Sequence, residues 1–150
     1  MKISHILVPT DLSIESQRPI QEAANLVRST GGRLTLLTVV QDLLVAPHGA
    51  PLAPPQGDPE ISKRVEEARA GLEEIGSDLS DLEVTLKAIS AVDVAQAIVE
   101  EAENNDADLI AISTHGRTGW RRLALGSVAE QVVRRSSIPV LSFQRPHKES

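Results

Sequence analysis

The segment DLIAISTHGRTGWRRLALGSVAEQVVRRSSIPVLSF, residues 108–143, decides the fold of this 150-residue chain. It begins with a short apolar run, DLIAI, and ends with a second, PVLSF, at Pro139 to Phe143. Both runs are too short for helices and are typical of buried strands. Between them a helical pattern begins near Ser127, and Ser127 with Glu130 fits the S-x-x-E capping box. Two strands joined through a helix predict a parallel pair with a right-handed crossover.

The same alternation of strand and helix continues toward the amino terminus. The other apolar runs are HILVP (His5 to Pro9), LTLLTVV (Leu34 to Val40) and EVTLKAI (Glu83 to Ile89). In the last of these, Thr85 and Lys87 interrupt the apolar residues, as is typical of an edge strand. The order predicts an α/β fold, an open doubly wound parallel five-stranded sheet with strand order 3-2-1-4-5, Rossmann-like. Residues 1–150 are predicted to form a single domain.

Capping residues predict where the helices begin and end. Ser13 is the candidate N-cap of the first helix, which Gly31 ends. Asp58-Pro59 is predicted to cap the second helix, and Asp93 with Gln96 three residues on caps the third.

The stretch from Gln41 to Gly57 is rich in proline and matches neither pattern. Such a long connection is either a lid or binding loop, or a loop in solvent.

Composition excludes several classes of function. The net charge of -6 argues against a protein that coats duplex nucleic acid. Trp120 and Phe143 are the only aromatic residues, so there is no platform for stacking single-stranded bases. The absence of cysteine excludes a thiol nucleophile and thiolate metal sites. The first apolar run is too short for a signal peptide or a membrane span, which favours a cytoplasmic protein without membrane or nucleic-acid partners.

A ligand site is expected at one point of the sheet. In open parallel sheets ligands bind beyond the carboxyl ends of the strands, where the strand order reverses. For the order 3-2-1-4-5 this point lies between strands one and four. Their exits carry Pro9, Thr10 and Asp11 on one side and the loop from Ser113 on the other.

Common nucleotide fingerprints are absent from both exits. Neither G-x-G-x-x-G nor a Walker loop occurs, and no G-x-S-x-G elbow surrounds a serine. The helix start at Ser127 nevertheless offers backbone N–H groups and a partial positive charge to phosphate oxygens, and Gly126 lets the backbone approach closely. Phosphate binding is therefore chemically reasonable at this loop, alongside the capping role of Ser127.

The carboxyl-terminal segment from Ser113 to Leu141 resembles the signature of the universal stress protein family, and HILVPTDLS resembles its first strand and turn. ATP-binding members have Gly, two residues, Gly, nine residues, Gly, then Ser or Thr. Gly116, Gly126 and Ser127 fit this spacing, whereas Ser113 stands at the first glycine position. The resemblance covers essentially the whole chain.

This resemblance implies an ATP site. The only metal that it suggests is Mg²⁺ bound to the phosphates. It places Asp11 near the ribose, the main chain of Val39 against the adenine, and Gly116, Gly126 and Ser127 around the phosphates. His115 and Arg117 lie in the same loop and can contribute charge. The predicted nucleotide-binding residues are Pro9, Thr10, Asp11, Val39, Ser113, His115, Gly116, Arg117, Gly126, Ser127 and Val128.

Three functions stay open at this point. The first is a protein that binds ATP as a regulatory ligand in stress response. The second is a dimeric interaction module whose site is degenerate because Ser113 obstructs the phosphates. The third is an enzyme, a slow nucleotide hydrolase or a nucleotide-dependent transferase using His115 or Asp11. No catalytic residues are assigned, since no pairing of nucleophile and base emerges.

The last strand, Pro139 to Phe143, predicts how the protein assembles. It is short, lies at the sheet edge opposite strand three, and has no charge before Arg145. Pairing of this edge with its symmetry mate predicts a homodimer with Val140 and Phe143 at the contact, as the resemblance also implies. Proline at Leu141 is expected to remove a ladder donor and favour the monomer.

Overall fold

The structure is a computed structural model, and it describes residues 1–44, 49, 52–114 and 128–144. The strands are β1 (His5–Pro9), β2 (Arg33–Gln41), β3 (Glu83–Ala91), β4 (Leu109–Ser113) and β5 (Val140–Phe143). The helices are α1 (Gln17–Thr30), α2 (Ile61–Gly76), α3 (Val94–Asn104) and α4 (Val128–Arg135), with 3₁₀ turns at Ile14–Ser16 and Ser77–Leu79.

All strands pair in parallel in the order β3-β2-β1-β4-β5. The predicted fold class, strand order and edge position of the third apolar run are therefore confirmed. Every residue of β1 and of β4 is buried, because helices cover both faces of the sheet.

The core is divided by the sheet into two apolar clusters. One contains Leu7 and Ile112 together with Ile98 of α3, and each of these residues is fully buried. The other contains Ile6 together with Leu72 of α2, equally buried. Alternate residues of each strand therefore point to opposite helix layers, and this alternation positions the polar residues at the strand ends.

The helix boundaries agree with the capping residues in part. Asp93 caps α3, since its carboxylate accepts a hydrogen bond from the Gln96 N–H. Gly31 follows α1 with a left-handed backbone, φ 73°, as a helix C-cap requires. The prediction that Ser13 caps α1 is wrong. The helix begins at Gln17 after a 3₁₀ turn, and the Ser13 hydroxyl donates to Asp11 instead.

The connection after β2 is closed at its base. The Asp42 carboxylate accepts a hydrogen bond of 2.9 Å from the Asp58 N–H, and Asp58 forms an ion pair with Arg64 of α2. The prediction that Asp58-Pro59 caps α2 is wrong, because the helix begins at Ile61 with Glu60 as its N-cap, and Asp58 accepts a hydrogen bond from the Glu60 N–H ahead of the helix. Residues 45–48, 50 and 51 lie outside the described residues, so both interpretations of this loop stay predictions.

No helix in the described parts of the chain is both long enough and apolar enough to span a membrane.

Candidate functional site

Proline ends the pairing between β1 and β4 at the predicted ligand point. The His5 carbonyl accepts a hydrogen bond from Asp108 on the β4 side, whereas the Thr10 N–H donates to Leu37 on the β2 side. Because backbone groups alternate sides along a strand, Pro9 faces β4 as His5 does. Proline has no N–H to donate, so β1 cannot extend its ladder with β4 there. The two strands are therefore not paired beyond Leu7 and Ile110, and we call the unpaired region beyond Pro9 the gap.

The backbone of Val39 faces the same gap from the other side. The ladder between β1 and β2 ends at Pro9↔Leu37, while β2 continues to Gln41. The Leu37 carbonyl faces β1, so the N–H and C=O of Val39 face that side too. The Val39 side chain is buried in the α3 side of the core. What Val39 offers to the gap is therefore a main-chain donor and acceptor.

The turn after β1 is fixed by side-chain hydroxyls. The Thr10 hydroxyl accepts a hydrogen bond of 3.0 Å from the Leu12 N–H and lies 2.7 Å from the Ser16 hydroxyl. The Ser16 hydroxyl donates to the Ser13 carbonyl, and the Thr38 hydroxyl donates to the Thr10 carbonyl. All of these hydroxyls are buried and partnered, which favours one turn conformation.

Asp11 lies on this fixed turn, two residues after the end of β1. Its Oδ1 accepts hydrogen bonds from the N–H and the hydroxyl of Ser13, the first at 3.0 Å. Asp11 is half-buried. These contacts restrict the rotamers that the carboxylate can adopt before any ligand arrives.

Ser113 is the last residue of β4, opposite Phe143 in the register with β5. Among the described residues other than glycine, a positive φ occurs only at Leu12 and Asp106, so Ser113 has a backbone that any residue can adopt. By strand alternation its side chain lies on the sheet face of Leu109 and Ala111, the face that α1 covers. The backbone conformation at position 113 therefore does not require glycine.

A cleft of about 260 Å³ lies at the carboxyl ends of β2 and β3, where α3 and α4 begin. The Gln41 amide donates to the Val92 carbonyl at one wall. The size suits one heterocycle better than a whole drug-sized ligand. Its lining residues are Gln41, Val92, Asp93, Val94, Ala95, Val128 and Gln131.

A larger open depression, about 420 Å³, lies at the opposite, amino-terminal edge of the sheet. Here Asp108 Oδ2 accepts hydrogen bonds from the Ser4 N–H, the Ser4 hydroxyl and the His5 N–H. These bonds, the Ser4 N–H first, hold the pKa of Asp108 below its ordinary value. Burial lowers the pKa of His5, whose ring nitrogens contact Thr35 and Asn105. The polar groups join β1 to β4 and serve the fold.

An ion pair joins the two helices that border the cleft. Arg135 of α4 donates to Asp93 at 2.7 Å, and Asp93 also caps α3. The Arg135 guanidinium, followed by the Gln96 N–H, lowers the pKa of Asp93. A lowered pKa means that Asp93 stabilises the fold fully above the unfolded pKa, about 3.8, and loses this as the pH falls through the folded value.

We expect Asp93→Ala to lower the free energy of unfolding at pH 7 by about 1–2 kcal/mol, because it removes the helix cap. Asp93→Asn keeps a capping oxygen and loses only a partly exposed ion pair, so about 0.5 kcal/mol is expected. Urea unfolding at pH 7 and at pH 3 measures both. The difference in the free energy of unfolding between wild type and Asp93→Asn should be smaller at pH 3 than at pH 7. A larger difference at pH 3 would contradict the role of the Asp93 charge.

The structure brings together only part of the predicted site. Pro9, Thr10, Asp11, Val39 and Ser113 lie at or near the carboxyl ends of β1, β2 and β4, and Val128 lines the cleft. The predictions for His115, Gly116, Arg117, Gly126 and Ser127 lie outside the described residues. Sequence reasoning missed Gln41, whose place in a proline-rich loop hid the fact that it ends β2.

A parallel sheet with a gap beyond the switch point defines an α/β domain of the open, doubly wound class. The model of the universal stress protein family matches residues 2–143. The chain therefore belongs to the universal stress protein family.

Two members of the family are similar over most of their length. Universal stress protein MJ0531 of Methanocaldococcus jannaschii is 33% identical over 147 residues, which cover 96% of this chain and 84% of that protein. The solved structure of MJ0577, from the same organism, superposes with a TM-score of 0.74 at 25% identity and covers 99% of this chain and 100% of that one.

Two further solved members carry adenine nucleotides. A universal stress protein in complex with cAMP has a TM-score of 0.68 at 20% identity, covering 96% of this chain and 98% of its own. The Archaeoglobus fulgidus protein in complex with dAMP has a TM-score of 0.61 at 22% identity, covering 95% and 98%. At these identities the likeness concerns the fold.

Proposed function

We propose that this protein binds ATP in the gap beyond Pro9 and responds to it as a regulatory ligand in stress response. The observation that carries the proposal is the backbone of Val39, whose N–H and C=O face the gap where β1 has ended. An adenine edge presents the complementary acceptor and donor. That related folds hold cAMP and dAMP supports an adenine nucleotide as the ligand class.

The remaining parts of the nucleotide have chemically suitable neighbours. The Asp11 carboxylate accepts hydrogen bonds from the ribose hydroxyls, as a carboxylate does in dinucleotide-binding folds. The family resemblance assigns the phosphates, with Mg²⁺, to the loop that holds His115, Gly116, Arg117, Gly126 and Ser127.

The geometry of Ser113 favours a binding protein over the degenerate interaction module. Its φ is not left-handed, and its side chain lies on the α1 face of the sheet, so a serine costs nothing in backbone strain. We therefore expect Ser113→Gly to change ATP affinity less than about threefold, below 1 kcal/mol. A hundredfold gain would make the wild type a degenerate binder.

The test is thermal and chemical unfolding with and without ATP and Mg²⁺. Ligand at one hundred times its dissociation constant should add about 2.7 kcal/mol to the free energy of unfolding. Asp11→Ala should lose most of this gain, because the ribose contact is removed. Glu22→Ala, an exposed carboxylate on α1, is the control and should retain it.

An unchanged wild-type midpoint in saturating ATP would contradict the proposal. Phosphate release on the same samples separates the alternatives. Stabilisation without steady turnover supports a regulatory ligand, whereas steady release of phosphate supports the slow hydrolase.

We also propose that the protein is a homodimer through the β5 edge. Leu141 of β5 is 45% exposed and Val133 of α4 is 53% exposed, so apolar side chains accompany this open edge. The cytoplasmic location inferred from the sequence stays a prediction.

A further inference from the structure

Leu12, directly after the ribose-contacting Asp11, has a left-handed backbone with φ 67°. This conformation costs a leucine about 1–2 kcal/mol, whereas glycine adopts it freely. Non-glycine residues keep such a conformation only where their surroundings impose it, and functional sites are where they cluster. The contacts around Leu12 are therefore informative.

A glycine of helix α2 makes room for the Leu12 side chain. A Cβ placed on Gly71 would lie 2.8 Å from Leu12 Cδ1, closer than real Cβ atoms approach. Glycine inside a helix costs about 0.5–1 kcal/mol relative to alanine, so the close approach is retained against helix propensity. Leu12 also packs against the core cluster that contains Leu72. The side chain is thus held between α2 and the sheet.

The left-handed backbone directs the hydrogen bonds of Asp11. It turns the chain so that the Ser13 N–H and hydroxyl both reach Asp11 Oδ1, while the Leu12 N–H meets the Thr10 hydroxyl. Rotation of Leu12 to a negative φ would redirect the following peptide and remove the Ser13 N–H from the carboxylate.

We infer that Leu12 is a positioning residue for the ribose contact, seated by Gly71, so that the packing of α2 fixes the direction of the Asp11 carboxylate. This inference rests on the proposed nucleotide site. It adds to that site a helix that touches no part of the nucleotide, and it predicts that changes in α2 alter nucleotide affinity through Leu12.

The test compares ATP with 2′,3′-dideoxy-ATP, which lacks the hydroxyls that Asp11 would bind. In Leu12→Ala the left-handed conformation is still unfavourable, but the side-chain packing against α2 that imposes it is gone. Residue 12 of this variant should therefore relax to a negative φ. We expect its ATP affinity to fall about tenfold, the equivalent of one well-formed hydrogen bond, while affinity for the dideoxy nucleotide stays within about twofold. Leu12→Gly tolerates the conformation without the anchor and should lose about threefold.

Gly71→Ala tests the seat of Leu12 separately from folding. Alanine favours the helix, and the atom that its Cβ would meet is the end of the flexible Leu12 side chain, so the variant should fold as stably as wild type. The Leu12 side chain must nevertheless shift, and ATP affinity should fall. Gly76→Ala is the matched control. It lies in the same helix, and its Cβ would also meet a leucine methyl, Leu86 Cδ1 at 3.1 Å, away from Asp11. Its affinity should equal that of wild type.

The outcomes separate this inference from the proposed function. Failure of wild type to bind ATP would overturn both. Binding by wild type with unchanged ATP affinity in Leu12→Ala and Gly71→Ala, each shown to be folded, would overturn the positioning role alone. Equal losses for ATP and the dideoxy nucleotide would also overturn it, because the effect would then not pass through the ribose hydroxyls.

Discussion

The Ser142→Pro variant should sediment as a monomer at micromolar concentrations at which we expect the wild type to be a dimer. Pro139 accepts a hydrogen bond from Ile110 and Phe143 accepts one from Thr114, so the odd-numbered residues of β5 face β4. By alternation the N–H of Ser142 faces outward, where a symmetry mate would pair. Proline at this position removes a donor from the open edge and leaves the pairing with β4 intact.

This geometry corrects the choice of Leu141 made from the sequence. The Leu141 N–H faces β4, so proline there would break the sheet of the protomer as well as any dimer. A monomer produced by that variant would therefore not separate the two effects. The sequence shows an exposed edge, but the actual register with β4 decides which residues face outward.

Two matched variants accompany Ser142→Pro. Ser142→Ala keeps the outward N–H of an exposed residue and should stay dimeric. Ser90→Pro introduces the same change at the other edge, since the pairing of Asp42 with Ala91 makes the even residues of β3 face outward. It should also stay dimeric. A wild type that stays monomeric throughout the micromolar range in analytical ultracentrifugation would contradict the proposed dimer.

The sequence predicts the sheet because its signal is repeated and local. Each strand is a short branched run between breakers, and the helices between them leave few alternatives to a parallel doubly wound sheet. The Asp93 cap was predictable for the same reason, since its partner Gln96 lies three residues away. Ser13 is also of a residue type that caps helices, but its hydroxyl has a competing partner, Asp11, two residues upstream.

The contacts that shape the site are of another kind. Nothing in the sequence links a glycine in a helical pattern to a leucine in a distant turn, yet Gly71 and Leu12 are in contact in the fold. Nor can the sequence reveal a left-handed φ at leucine, because tertiary packing imposes it. The directions of the Val39 and Ser142 backbone groups depend on register, which only the paired strands define.

ATP should bind at least about 30-fold more tightly than inosine triphosphate. Adenine offers a donor at its amino group and an acceptor at the neighbouring ring nitrogen, and Val39 offers an acceptor and a donor on the same side of β2. Hypoxanthine reverses both roles, so acceptor would face acceptor and donor would face donor. Two hydrogen-bonding groups left unmatched cost about 2–6 kcal/mol together, which corresponds to about 30-fold or more in affinity.

Isothermal titration of both nucleotides with wild type and with Val39→Ala tests this argument. Alanine shortens a buried side chain but keeps the main-chain N–H and C=O, so both affinities can fall while their ratio persists. Val39→Pro removes the N–H that faces the gap and spares the ladder with β3, which the even-numbered residues of β2 form. The ratio of its affinities for ATP and inosine triphosphate should decline, because the N–H, one of the two main-chain groups that distinguish the bases, is gone. Equal affinities of wild type for the two nucleotides would mean that Val39 does not recognise the base.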